Sequence, residues 1–251
     1  MKLAELTFPK AAEAFKKQPV AVLPLGTVEV HGRHLPLNTD MLAPEDVVRR
    51  MEAKMGEELL VLPSWHYGNC DSQTEFPGTL SLSGKLLDEV LLRIFMSLYE
   101  QGLRYFAVVN GHGPNAASVE RVAYALRQKG AHLAVLNWWR YVWDINPAWR
   151  GGHGGGQETS AVLALRPDLV EKSEYEMAKT IGLSEEFPAN GWDNVLWRGV
   201  NIPIPRPDIH VTDNGWLGED PLETATAQQG EEMLEAAAEW AVDYLRAMKR
   251  Y

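Results

Sequence analysis

The sequence has a single cysteine, fewer basic than acidic residues and no long hydrophobic run. Cys70 has no partner for an internal disulfide, which favours a reducing compartment. No apolar run approaches the ~18 residues that a membrane span needs, and the first residues lack the apolar core of a secretory signal. Asp and Glu outnumber Lys and Arg by 34 to 24, so the surface repels phosphate backbones. We therefore expect a cytoplasmic protein that binds neither nucleic acid nor a membrane.

The 251 residues show the patterning of a globular α/β chain, with 45% hydrophobic and 23% charged residues. Apolar runs predict strands at 20–25, 59–63, 105–110 and 132–136. Helical spacing predicts helices at 44–55, 85–101, 116–129 and 221–250, and the proline-rich stretch 201–208 predicts an extended segment or surface arm. Strands separated by such helices pair in parallel, so we expect one α/β domain over residues 1–251 with a parallel, layered sheet.

Histidines and carboxylates concentrate in three glycine-rich loops, 26–40, 110–115 and 151–160, which follow predicted strands or open a helix. His31, His112 and His153 each stand directly before glycine, which allows tight turns or close approach of a ligand. Ligands of open parallel sheets bind beyond the carboxyl ends of the strands, where such loops meet. The loops therefore form the candidate site.

The residue types in these loops suit a metal centre. Glu29 and His31 are two residues apart and project to the same side of an extended segment, and Asp40 is far enough along for the chain to fold back. Carboxylates and imidazoles suit zinc, manganese or iron(II), with no competing thiolate. Glu29, Asp40 and Glu158 could offset the charge of two cations, and one carboxylate can bridge both.

Two further interpretations concern the loop after the third strand and the remaining histidines. Residues 111–116 fit the dinucleotide-binding pattern G-x-G-x-x-A, but no acidic residue follows the next predicted strand to hold a ribose. Among the other histidines, His66, His132 and His210 are interpreted as structural, and His34 as structural, as a partner of a metal ligand or as a substrate contact.

Several segments resemble the creatininase family. They are LPLGTVEVHGRHLPLNTD (23–40), FPGTLSLSG (76–84), NGHGPN (110–115), HGGGQETS (153–160) and, more loosely, VTDNGWLGEDPLETAT (211–226). The resemblance implies a three-layer α/β/α fold, two divalent metal ions (Zn, Mn or Fe) and hydrolysis of a C–N bond. It also implies a small-molecule substrate and a homo-oligomer, often a hexamer.

The resemblance also implies roles for individual residues. It assigns Glu29, His31, Asp40 and His112 as metal ligands with Asp40 as the bridge, and Glu158 completes the site because Pro114 occupies a ligand position of creatininase. His153 matches the histidine that delivers a proton to the leaving nitrogen, and Trp149, Arg150 and Ser72 are assigned to the substrate.

The pair Trp149-Arg150 replaces a Trp-Asp pair of creatininase. A cation at that position would favour an anionic or neutral substrate over creatinine. Trp138, Trp139, Trp143 and Trp149 line the pocket, the core or a subunit interface.

The sequence as a whole thus predicts a binuclear metal-dependent hydrolase that cleaves an amide, lactam or formamide with a metal-bridging hydroxide. The alternatives are hydrolysis of a C–C bond in an inositol-derived cyclic ketone on the same metal site, or a homologue without catalysis.

Overall fold

A four-stranded parallel sheet forms the centre of the fold. The computed structural model describes residues 1–217, 220 and 222–251. The strands are β1 (Val20–Leu25), β2 (Leu59–Val61), β3 (Tyr105–Asn110) and β4 (His132–Asn137), in the order β2-β1-β3-β4. All neighbouring pairs are parallel, as the alternation of strands and helices predicts.

Helices cover both faces of the sheet and confirm the three-layer α/β/α class. On one face lie α2 (Thr39–Met55), α5 (Trp138–Ile145), α6 (Gly156–Leu165) and α7 (Ala227–Met248); on the other lie α1 (Phe8–Lys16), α3 (Gly84–Glu100) and α4 (Asn115–Arg127). Strand β1 supplies both cores, because Val20 and Val22 pack into one and Ala21, Leu23 and Leu25 into the other. This alternation is the two-residue period of a strand that is buried on both sides.

Several predicted segments have different bounds in the structure. Helix α2 begins at Thr39 rather than at residue 44, so Asp40 lies in its first turn. Strand β2 ends at Val61, and the terminal helix begins at Ala227; Pro221, within the predicted helix, lies outside the described residues.

The proline-rich segment begins as one strand of a small antiparallel hairpin, β5 (Asn194–Trp197) with β6 (Val200–Pro203). Its last residue, Asp208, is buried rather than at the surface. Among the described residues, no helix is both long and apolar enough to cross a membrane.

Candidate metal centre

The candidate site lies beyond the carboxyl ends of β1 and β3. Glu29 and His31 follow β1, and His112 follows β3 by two residues. Asp40 and Glu158 come from the first turns of α2 and α6. The structure therefore brings together all five predicted metal ligands, from segments far apart in sequence.

Two glycines permit this convergence. Gly26 and Gly111 directly follow β1 and β3, and a Cβ atom at either position would overlap the main-chain carbonyl oxygen of Asp40. Only glycine leaves room for the start of α2 to lie against both strand ends. The glycines next to the functional residues thus set the position of Asp40.

The Asp40 carboxylate lies between two histidines. Its Oδ1 atom is 3.0 Å from His31 Nε2, and its Oδ2 atom is 3.0 Å from His112 Nδ1. Glu29 Oε1 lies 2.9 Å from His112 Nδ1, and Glu158 Oε2 lies 3.6 Å from His31 Nε2. The five side chains thus form two carboxylate–imidazole groups that share Asp40.

The nitrogen of each histidine that faces away from the carboxylates donates a hydrogen bond to a main-chain carbonyl. The pairs are His31 Nδ1 with Glu29 O at 3.2 Å, His112 Nε2 with Asn69 O at 2.8 Å and His153 Nε2 with Val30 O at 2.7 Å. In a neutral imidazole the other nitrogen then carries the lone pair. All three lone pairs face the carboxylates, which is how metal-ligating histidines are oriented in proteins.

The acidic members leave oxygens without partners. Both Glu29 oxygens and Asp40 Oδ2 are buried and accept no well-formed hydrogen bond from the described part of the chain. Buried anionic oxygens without such bonds are costly unless a cation is close. The potential ligand atoms of His31, Asp40 and Glu158 lie within 4.8 Å of one another, as do those of Glu29, His31 and His153. The residues present therefore fit divalent cations.

The pKa shifts reflect the crowding of charge in this buried site. Burial raises the pKa of Glu29, and raises that of Glu158 to about 7. Burial also opposes charge on His31 and Asp40, but their mutual attraction outweighs it. The pKa of His31 rises to about 10, and that of Asp40 is held well below its usual range. The three buried carboxylates, Glu29, Asp40 and Glu158, therefore require positive charge beside them.

His153 lies at the edge of this cluster. Its ring stacks on His31 with centroids 4.2 Å apart, and its Nδ1 atom is 3.7 Å from Glu29 Oε1. Burial and the neighbouring His31 lower the pKa of His153 well below its usual value. The ring is therefore neutral near pH 7, with a proton-accepting nitrogen that faces the carboxylates.

A cavity of about 390 Å³ borders the cluster and includes Ser72, one of the predicted substrate contacts. The other two predicted contacts lie elsewhere. Trp149 packs against the core on the face of the sheet that carries α2, α5, α6 and α7. Arg150 is exposed, and its guanidinium lies 5.7 Å from the centre of the Trp143 ring. Neither belongs to the described walls of this cavity. The aromatic part of the wall comes instead from Trp139, Trp143 and Trp192.

The sequence reasoning missed four polar residues at the site. Gln73, Gln157 and Asp208 are buried in the cavity wall, and Cys70 Sγ lies 3.7 Å from His112 Nε2. A thiol thus lies beside the cluster, and burial raises its pKa, which disfavours a thiolate that would compete with the other ligands. Gln157 lies within the segment HGGGQETS (153–160), whereas no motif or periodicity marks the other three positions.

The remaining histidines are not in the cavity wall among the residues described. His34 is buried, shares a hydrogen bond of 3.0 Å with Thr159 Oγ1, and has its pKa lowered to about 4 by burial. His66 and His132 contact Glu45 and Arg127, and His210 is exposed. These positions agree with structural roles.

The loop that carries His153 is held by a carboxylate from the segment before α7. Asp220 accepts hydrogen bonds from the backbone N–H groups of Gly152, at 2.9 Å, and Gln157, at 2.7 Å. The second of these lies in the first turn of α6, where a negative charge is favourable. Asp220 therefore fixes the loop between Gly152 and α6.

Comparisons with known proteins identify relatives of this chain. A family profile described as creatinine amidohydrolase matches residues 4–245. Creatinine amidohydrolase of Pseudomonas putida is 36% identical over 174 residues, which cover 61% of this chain and 66% of that protein, just under two thirds. Mycofactocin precursor peptide peptidase of Mycolicibacterium smegmatis is 28% identical over 91% of this chain and 85% of that protein. 3-Dehydro-scyllo-inosose hydrolase of Thermotoga maritima is 22% identical over 98% of this chain and 81% of that protein.

Solved structures give the same relationship. A creatininase variant of the zinc–zinc type has a TM-score of 0.76 at 27% identity, over 98% of this chain and 97% of that one. A manganese creatininase has a TM-score of 0.75 at 27% identity, over 98% of each chain. Fold and site thus define a hydrolase of the creatininase type. Because the profile spans nearly the whole sequence, this chain belongs to the creatininase family.

Proposed function

We propose that this chain is an amidohydrolase that uses two divalent ions to hydrolyse a C–N bond in a small amide, lactam or formamide. The observation that carries the proposal is the position of Asp40, whose two oxygens each lie 3.0 Å from a different histidine. A carboxylate between two such groups is suited to bridge a pair of cations.

The ligands divide into two sets around Asp40. His31 and Glu158 would hold one ion, and Glu29 and His112 the other. Imidazole and carboxylate donors suit zinc, manganese or iron(II), and solved relatives of the zinc–zinc and manganese types support the first two. When bound, such ions lower the pKa of a coordinated water and polarise a carbonyl group.

His153 would move the proton. Its Nε2–H is committed to Val30 O, so Nδ1 accepts a proton on the side of the cluster. The lowered pKa keeps this nitrogen free near neutral pH, so it can take a proton from the attacking water and return it to the departing nitrogen.

Gln157 would orient the carbonyl of the substrate. The indole Nε1–H of Trp143 donates to Gln157 Oε1 at 3.0 Å, which fixes the orientation of the amide. Gln157 Nε2 is buried in the cavity wall and has no hydrogen-bond partner within the described residues. It is therefore available to donate to a carbonyl oxygen next to the metal centre.

A hydrolysis screen tests the proposal. The protein is stripped with chelator, reloaded separately with zinc, manganese or iron(II), and assayed on creatinine, formamides, linear amides and inositol-derived cyclic ketones. We expect C–N hydrolysis that requires added metal. Turnover of the ketones alone would favour the C–C alternative, and a metal-loaded protein inactive on every substrate would favour a homologue without catalysis.

We also propose that the chain forms a homo-oligomer, such as a hexamer, whose subunits meet at an exposed aromatic surface. Trp240 stacks on Tyr141 and Tyr244, with ring centroids 4.7 and 5.3 Å apart, and both Trp240 and Tyr244 are about 40% exposed. Aromatic residues at a surface are enriched where subunits meet. The mass in solution, measured by light scattering, distinguishes a hexamer from a monomer.

A further inference from the structure

The cavity contains a buried carboxylate that the proposed metal centre does not use. Asp208 is 1% exposed and lines the same cavity as the metal ligands. Its Oδ2 atom accepts a hydrogen bond from Ser72 Oγ at 3.1 Å, whereas Oδ1 has no hydrogen-bond partner in the described parts of the chain. A buried carboxylate oxygen without a partner is costly, which indicates that a ligand completes it.

The backbone holds this carboxylate in place. Asp208 opens a short 3-10 turn, and its carbonyl oxygen accepts hydrogen bonds from Val211 N, at 2.8 Å, and Thr212 N, at 2.9 Å. On the other side, Ser72 lies in the turn Asp71–Gln73. Two ordered turns from distant parts of the sequence therefore fix the carboxylate in the cavity wall.

The side chains of Ser72 and Gln73 hydrogen-bond to Asp208, but neither carries a positive charge. Gln73 Oε1 is also buried in the cavity wall without a hydrogen-bond partner from the described residues. Asp193 contributes a second carboxylate to the wall, and no Lys or Arg belongs to the wall where the structure describes it. A group that satisfies Asp208 and Gln73 must carry several N–H bonds and, to balance Asp208, a positive charge.

The charge of the metal centre leaves Asp208 uncompensated. Glu29, Asp40 and Glu158 would offset three of the four positive charges of two divalent ions, which leaves one positive charge against the two carboxylates of Asp193 and Asp208. A net negative charge would remain in a cavity that also presents Trp139 and Trp192. Aromatic faces attract cations and add to the preference.

We infer that Asp208, oriented by Ser72, is a specificity-determining residue that selects substrates carrying an ammonium, amidinium or guanidinium group. The inference rests on the proposed function, because it assumes that the substrate binds in the cavity beside the metal centre. It reverses the expectation drawn from Arg150 of an anionic or neutral substrate, because Arg150 lies outside the described wall of the cavity.

The inference is tested by binding rather than by turnover. Methylguanidinium and N-methylurea have nearly the same shape but differ in charge, and their affinities for the zinc-loaded protein can be measured by calorimetry or by quenching of tryptophan fluorescence. A charge-assisted hydrogen bond to a buried carboxylate should favour methylguanidinium about ten- to a hundredfold. Equal affinities of the wild-type protein for the two probes would overturn the inference without any variant.

Asp208→Asn removes the charge while it keeps the shape and an oxygen for Ser72. It should abolish the preference for methylguanidinium and leave both zinc content and the affinity for N-methylurea unchanged. Asp193→Asn is the matched control, since Asp193 is an exposed carboxylate of the same cavity. This substitution should reduce the preference for methylguanidinium only slightly. A preference that survives Asp208→Asn, or is lost only in Asp193→Asn, would overturn the assignment.

Failure of this inference differs from failure of the proposed function. An enzyme that hydrolyses amides but shows no preference for methylguanidinium would keep the function and lose the role of Asp208. A protein that shows the preference but turns over no substrate would keep the binding site and lose the proposed function.

Discussion

His153→Gln separates proton transfer from metal binding. Gln can still donate a hydrogen bond to Val30 O but cannot accept and release a proton near pH 7. General acid–base catalysis typically contributes about 10²–10⁴-fold, so we expect kcat to fall by that factor on the best substrate of the screen, with little change in KM. Zinc content should stay at the wild-type level, because the two ligand sets around Asp40 remain complete.

The structure also bounds the effect of this substitution on stability. His153 stacks on His31 and meets Trp192 edge-to-face, with ring centroids 4.2 and 4.8 Å apart. Such pairs each contribute about 0.5–1.5 kcal/mol, so the free energy of unfolding should fall by about 1–3 kcal/mol and leave the protein folded at 25 °C.

Steady-state kinetics, elemental analysis and thermal unfolding measure the three effects. The matched control is His66→Gln, which removes an exposed imidazole that contacts Glu45 and does not line the described cavity. A kcat within about threefold of wild type would refute the role in proton transfer. Loss of zinc together with activity would instead make His153 a metal ligand.

Three further predictions concern Asp40, which is the proposed bridge, a glycine at a strand end and the carboxylate in the cavity wall. Asp40→Asn should weaken binding of at least one ion by more than about 100-fold, since loss of a direct ligand exceeds the 10–100-fold cost of an outer partner. Asp88→Asn, a change of the same kind at a half-buried carboxylate paired with Arg121, should leave metal affinity intact in a chelator competition. Gly111→Ala should lower the free energy of unfolding, measured by chemical denaturation, by more than about 2 kcal/mol, because its Cβ would overlap the Asp40 carbonyl oxygen. Gly113→Ala is the control: no described atom lies within 4 Å of its Cβ, so the loss should be less than about 0.5 kcal/mol. Equal losses would contradict the packing argument. Burial raises the pKa of Asp208 from 3.8 to about 6, so the folded state binds more protons in that range and stability falls as the pH rises through it. Asp208→Asn should therefore be more stable than wild type at pH 7, by up to about 2 kcal/mol because solvent in the open cavity screens the charge. The difference in the free energy of unfolding should vanish below about pH 4. A difference that does not depend on pH would exclude the raised pKa of Asp208 as its cause.

The sequence was sufficient to predict the sheet and the two faces it buries. Strands β1, β3 and β4 are short apolar runs, and their period of two residues matches two buried faces. The start of α2 was less predictable, because Pro44 suggests a helix boundary although the helix begins five residues earlier. Its position depends on tertiary contact of the Asp40 backbone with Gly26 and Gly111.

The convergence of the candidate metal ligands was predictable because their residue types are unusual in glycine-rich loops that follow strands. The substrate wall was not. Asp208 ends a proline-rich segment that looks like a surface arm, and its burial depends on the packing of that segment beside Ser72. Arg150 is adjacent in sequence to a tryptophan and close to His153, but its side chain lies outside the described cavity wall, over the ring of Trp143. Adjacency in sequence does not determine the direction of a side chain in an irregular loop.

The proposed function requires that two ions share Asp40. Anomalous scattering at the zinc edge, measured on a crystal of the protein reloaded with zinc, reports their number and positions. We expect two zinc peaks per chain, one between His31 and Glu158 and one between Glu29 and His112, each in contact with a different oxygen of Asp40. A single ion that does not touch Asp40, or none in a fully reloaded protein, would contradict it.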